Sequence, residues 1–287
     1  MPFISFLNHL GALLTLWLLL CCGAPAAENG RILMVTEATF PPYEFRDGNA
    51  ILGIDPEIMR EVARRTGREL VIEDMSFDSV ITAVVSGEAA VAASGITVTP
   101  QPKRKVDFSI PYVEAAQVII VPKGSPIRKR EDIRGKRIGV QHGATGDIYV
   151  TRNIQQPERF PNGALAVAAV AAGKVDAAVI DQDPATMYVA GNDRLEILPE
   201  PLTSESYAIA VRKGDTALLQ DINGTIAALK ASGKLEEIRN AYAAMQVKSA
   251  AGPEQHASGG GWLENIWLDL KESFYVNFMQ EGRWKYL

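Results

Sequence analysis

The chain has 287 residues, 47% of them hydrophobic and 22% charged, which is enough apolar material to bury one large core or two smaller ones. A net charge of −5 with no basic cluster argues against a nucleic-acid surface. The two cysteines are adjacent, Cys21-Cys22, within an N-terminal apolar segment, and the three histidines are scattered. No disulfide, metal site or cofactor is therefore expected in the folded part, and the usual nucleotide, hydrolase and zinc-protease signatures are missing.

Residues 10–22 form an apolar core followed by Gly23-Ala24-Pro25-Ala26-Ala27, which predicts a signal peptide over 1–26 cut after Ala26. No Lys or Arg precedes that core, and Leu18-Leu19-Leu20-Cys21 is a poor lipobox. An uncleaved anchor is the alternative, although the run is short for a membrane span. Both readings export the rest of the chain.

Residues 31–36 read as a strand, and Glu37-Ala38-Thr39-Phe40-Pro41-Pro42-Tyr43-Glu44-Phe45 as a rigid aromatic loop. Asp47-Gly48 is a turn signal. A helix is expected over 56–66, with Gly67 as its stop and Ile58, Met59, Val62 and Ala63 as its apolar face. Residues 69–75 alternate as a strand, 79–86 read as helix and 89–93 as a buried strand. Gly95 after that strand suits close approach of a ligand to the backbone, and Thr99-Pro100 reads as a helix start. The strand at 117–121 leads to a second round: strand 137–140, a helix from Asp147, helix 164–172, strand 177–180 and strand 206–211. Two closing helices, 216–232 and 235–245, have a packing partner that periodicity does not settle. The alternation defines an α/β fold with sites at the carboxyl ends of strands. A small-residue linker, 248–261, separates off a tail, 262–287.

From residue 31 to about 245 the chain resembles the family-3 extracellular solute-binding proteins, the amino-acid receptors of ABC importers. The marks are Phe40-Pro41-Pro42-Tyr43-Glu44-Phe45, Gly53-Ile54-Asp55-Pro56-Glu57-Ile58, Ser94-Gly95-Ile96-Thr97-Val98-Thr99, Val106-Asp107-Phe108-Ser109, Pro111-Tyr112, Gly135-Lys136, Gly143-Ala144-Thr145-Gly146 and Val179-Ile180-Asp181. No single mark is specific; their number and order are. The resemblance implies a two-lobe, type II periplasmic-binding fold with a ligand between the lobes. Lobe 1 would comprise 30–113 and 206–247, lobe 2 114–205, with hinge strands near 113–118 and 203–208.

Site roles follow from the resemblance by position. Phe40 and Phe77 match the aromatic pair that sandwiches the ligand side chain, and Glu37 an acidic position at the pocket floor. Asp181 matches the partner of the α-ammonium, although an Asp ahead of Pro184 also suits a helix cap. Ser94, Gly95, Thr97, Thr145 and Gly146 belong to the two loops expected at the ligand; Gly95, Thr97, Thr145 and Gly146 match positions that hold the α-carboxylate through N–H and hydroxyl groups. Two departures stand out: Pro102 where the family carries an arginine that forks onto the carboxylate, and Ala90 where it usually has Asp. Loss of such a charged hydrogen bond removes roughly 1.5–3 kcal/mol.

The expected function is a non-catalytic, monomeric receptor that delivers an amino acid, polar or cationic rather than acidic, to an ABC permease. The alternatives are a dehydratase of prephenate or arogenate type on the same fold, or a ligand-sensing module. In the tail, Trp262, Ile266, Leu270, Phe274 and Phe278 recur every fourth residue, which predicts an amphipathic helix at a membrane surface. Residues 274–287 resemble the lead-in to the first membrane helix of amino-acid ABC permeases.

Overall fold

A computed structural model describes residues 30–99 and 105–250. The expected leader, Pro102, the helix start at Thr99-Pro100, most of the linker and the tail lie outside the described residues.

The first sheet is built on β1 (Arg31–Thr36), which runs parallel between β5 (Glu69–Asp74) and β6 (Val91–Ala92). Successive residues of β1 point to opposite faces, as pleating requires. Ile32 and Met34 enter a core with Ile58, Met59 and Val62 of helix α1 (Ile54–Thr66). Val35 enters another with Val80, Ala83 and Val84 of helix α2 (Phe77–Ser86). Helix α1 begins two residues before the expected start. Gly53 turns into it with φ 133, and a Cβ there would lie 2.1 Å from the Tyr43 carbonyl oxygen. Pro56 is then the third helical residue, where a missing N–H breaks no bond.

The second sheet repeats the plan. Strand β10 (Ile138–Gln141) lies parallel between β11 (Glu158–Phe160) and β12 (Ala177–Asp181). Strand β9 (Gln117–Pro122) pairs antiparallel with β12 and with β13 (Leu195–Ile197). Its unbroken apolar run is buried on both faces: Val118 and Ile120 pack with helix α4 (Gly163–Ala171), Ile119 and Val121 with Val150 of helix α3 (Thr145–Asn153). Helix α5 (Gln182–Ala190) follows β12 directly.

Two segments join the sheets. Strand β8 (Val113–Ala115) and strand β14 (Glu205–Tyr207) form an antiparallel ribbon, with Ser206 opposite Glu114. The single strand expected over 206–211 is two: β14 in this ribbon, and β15 (Ala210–Arg212), which enters the first sheet between β6 and β7 (Val106–Phe108). Residues 207–211 are apolar without a break, so periodicity does not mark the point where the run changes partners. The aromatic loop after β1 includes a small sheet, β2 (Thr39–Phe40), β3 (Glu44–Asp47) and β4 (Ala50–Leu52), turned at Asp47-Gly48. Helices α6 (Thr216–Ala231) and α7 (Lys234–Ala250) end the described residues. Leu218, Ile222, Ile226 and Leu235 share the core of Ile58 and Met59, so both helices return to the first sheet. Among the described residues no helix is long and apolar enough to cross a membrane.

Candidate ligand-binding site

A cleft of about 280 Å³ opens between the sheets, at the small end of ligand pockets and fitted to one small molecule. Phe40, Phe77, Gly95 and Thr97 line it from the first sheet, and Gln141, Thr145 and Asp181 from the second. Six of the nine residues expected at the site therefore meet there. Glu37, Ser94 and Gly146 do not line it; they stand behind its wall.

The wall is a hydrogen-bonded structure. Ser94 is buried, accepts the Glu37 N–H at 3.0 Å and donates to Glu44 at 3.3 Å. Glu44 is wholly buried, and burial with the charges of Asp55 and Glu37 holds its carboxyl well above the usual range. Asp55, also buried, takes the Gly95 N–H at 3.0 Å. The Gly95 amide is thus committed to Asp55 rather than to a ligand carboxylate. The glycine is needed for a different approach from the one expected: with φ 52, a Cβ there would stand 2.6 Å from the Phe40 ring. Gly146 is similar, since a Cβ would meet Gln117 Oε1 at 2.7 Å and the Val179 carbonyl at 2.8 Å. It lets α3 start close against β12. Asp147 shapes that start by accepting the Gly143 N–H at 3.1 Å and pairing with Arg159 at 2.8 Å.

Two carboxyls carry the electrostatics. Asp181 occupies the cap position of α5 but makes no side-chain cap bond there; it accepts the Tyr207 hydroxyl. Burial pushes it up to about 7, against hydrogen bonds from Tyr207 and Gln117. Glu37 is likewise pushed up to about 7 by burial, although Thr39 donates to it and Gln141 reaches across at 3.5 Å. Desolvated carboxyls of this kind gain most from a cation. Lys105 is the one cation lining the cleft among the described residues.

Thr97 and Thr145 both donate their hydroxyls to Glu205 Oε2, each at 2.8 Å. Thr203 donates to Oε1 of the same carboxylate at 2.7 Å. Gln117, at the start of β9, donates to Thr145 Oγ1 at 3.0 Å. Sequence reasoning missed Gln117, Glu205, Lys105 and Gln141. Only Gln141 had a signal, as the last residue of a parallel strand at the sheet's carboxyl edge. The two halves also touch directly. Tyr43 donates to Asp183 at 2.6 Å, and Tyr188 to the Thr39 carbonyl at 2.7 Å.

Two α/β halves joined by a two-strand ribbon, with a cleft between them that mixes aromatic and polar side chains, define a two-lobe ligand-binding protein. Residues 32–245 match the model of bacterial extracellular solute-binding proteins, family 3, and the chain belongs to that family. It is 33% identical over 239 residues to a probable histidine-binding protein of Neisseria gonorrhoeae, covering 79% of this chain and 89% of the relative. It is 31% identical to the arginine-binding extracellular protein ArtP of Bacillus subtilis, covering 78% and 92%. Among solved structures, a mutant of ArgBP from T. maritima superposes with a TM-score of 0.71 at 42% identity, covering 74% of this chain and 95% of that one. AbpA of Streptococcus pneumoniae bound to L-arginine gives 0.72 at 28%, covering 76% and 96%.

Proposed function

We propose that the chain is an extracytoplasmic receptor that closes over an L-amino acid with a polar or cationic side chain and hands it to an ABC permease. The observation that carries this reading is the pair of buried carboxyls at the cleft, Asp181 and Glu37, both raised to about 7 by burial. Asp181 lines the cleft and takes the α-ammonium; Gln141, backed by Glu37 behind the wall, takes the polar end of the side chain between Phe40 and Phe77. The α-carboxylate goes to the first-turn N–H groups of α3, which have no partner within the helix, and to Lys105. Lys105 stands in for the arginine that Pro102 replaces. The histidine- and arginine-binding relatives support a basic ligand.

In this reading the lobes are 30–113 with 206–247, and 114–205, and the protein is a monomer. It is not an enzyme, because both carboxyls near the cleft have a recognition role and no further acid or base is called for. Residues 1–26 direct export and 262–287 lie on the membrane surface, which flotation on liposomes with and without 262–287 tests. A thermal-shift panel of amino acids tests the central claim. At about a hundred times its Kd, a ligand stabilises the fold by about 2.7 kcal/mol. Asp181→Ala should abolish the shift at that concentration, and a flat panel with the unmodified chain would sink the amino-acid reading. Turnover of prephenate would instead favour the dehydratase.

A further inference from the structure

Glu205 is absent from the cleft lining, yet it governs what two lining residues can offer a ligand. A hydroxyl has one proton and two lone pairs, and a carboxylate can only accept. With Thr97 Oγ1 and Thr145 Oγ1 both 2.8 Å from Glu205 Oε2, both protons point at Glu205. The Thr145 oxygen is further occupied by the Gln117 amide at 3.0 Å. Thr97 therefore turns only lone pairs towards the cleft. It is bridged to Tyr207 in β pairing, and the Tyr207 hydroxyl is held by Asp181. Around this tyrosine the side chains turn acceptors to the cleft, Thr97 Oγ1 and, once ionised, the Asp181 carboxylate.

We propose that Glu205 is a specificity-determining positioning residue: it sets the polarity of the Thr97 hydroxyl, so that this end of the cleft receives an ammonium in preference to a hydroxyl and turns away a carboxylate. Thr97 comes from the first sheet, Thr145 from the second and Glu205 from the ribbon between them. The ribbon thus sets the Thr97 hydroxyl, and Thr145 brings the second wall to the same Glu205 oxygen. The thermodynamic logic is that of rejection by unmatched polar groups. An ammonium has protons for both acceptors, whereas a hydroxyl has one and a carboxylate none, so one or both of Thr97 Oγ1 and Asp181 are left buried and unpaired.

The inference rests on the amino-acid reading above and deepens it, and its test separates the two. Binding of L-arginine and of its 2-hydroxy analogue is measured by calorimetry, or of L-histidine and imidazole-lactate if the thermal panel selects histidine. The unmodified chain should prefer the amino acid by tenfold or more. Glu205→Met fills a similar volume without a strong acceptor and frees the threonine protons. It should shrink that ratio at least fivefold, the loss falling mainly on the amino acid. Thr97→Val removes the oxygen through which Glu205 acts; it should shrink the ratio similarly, and the double variant no further. If Glu205→Met does not fold, Thr97→Val carries the same prediction. An unchanged ratio, whether both ligands weaken equally or neither does, overturns the role of Glu205. Failure of the unmodified chain to bind any amino acid is a different result, and it overturns the parent reading.

Discussion

Tyr43 from the first half of the molecule donates its hydroxyl to Asp183 on α5 of the second, at 2.6 Å, and the ring is wholly buried against Tyr207, with centroids 5.0 Å apart. The bond ties one wall of the cleft to the other beside the ribbon. In a receptor that closes over its ligand, a bond across the two halves contributes to the energy of closure.

Tyr43→Phe removes the bond and keeps the ring. Hydrogen bonds to charged groups contribute about 1.5–3 kcal/mol, so ligand affinity should fall roughly tenfold or more. Small-angle scattering of the unliganded variant should report a larger radius than the parent protein. An unchanged Kd would show that the bond persists in the open form as well.

The pH dependence has a definite sign. Glu37 and Asp181 sit at about 7 in the folded, unliganded protein, above the ordinary carboxyl range near 4. The folded state therefore holds more protons between those values, and its stability falls as pH rises from about 4 to about 7. A cationic ligand needs both groups ionised and reverses the preference. Affinity should tighten about tenfold per coupled carboxyl between pH 6 and pH 8 and level off above, with protons released on binding near pH 7. Calorimetry in buffers of different ionisation enthalpy counts those protons. A flat profile would mean that neither carboxyl meets a cation.

Lys105 is exposed and lines the cleft, so its contribution to holding the carboxylate is screened. Exposed ion pairs contribute about 0.2–1 kcal/mol, so Lys105→Ala should weaken binding of the amino acid only about two- to fivefold. The same substitution should leave binding of the amino-acid amide unaltered. Equal weakening of acid and amide would remove Lys105 from the carboxylate site.

Gly146→Ala should destabilise the fold. The added methyl would fall 2.8 Å from the Val179 carbonyl, a backbone atom that cannot swing aside, as well as 2.7 Å from Gln117 Oε1. Overpacking of this kind costs about 1–3 kcal/mol, or a fall in Tm of about 2–4 °C per kcal/mol. Thermal unfolding by circular dichroism measures it. An unchanged Tm would mean that α3 is free to slide from β12.

Much of the architecture was legible because its signals are local. Met34 and Val35 alternate faces, Gly67 ends α1 at φ 65, and Ile58, Met59 and Val62 mark its buried stripe, all of which short windows of sequence contain. The division of 205–212 between ribbon and sheet was not legible, since a strand's partner is chosen by packing across long separations. The site divides in the same way. Phe40, Thr97, Thr145 and Asp181 stand in motifs and do line the cleft, as does Phe77, placed by the family resemblance, whereas Glu205 carries no motif.

The sequence by itself determined the α/β class, the sheet-forming segments, the family resemblance and six of the residues that line the cleft. Those properties follow from periodicity, turn chemistry and short motifs, each confined to a few neighbouring residues. Only the tertiary structure decided which groups stand behind the wall and what they do to those in front. It turned the Gly95 amide towards Asp55, placed Gly95 and Gly146 against Phe40 and Gln117, and aimed two threonine protons at Glu205. The reason is physical: a hydrogen bond between residues 60 or 108 positions apart depends on where two sheets and a ribbon bring their atoms, and no local pattern records that.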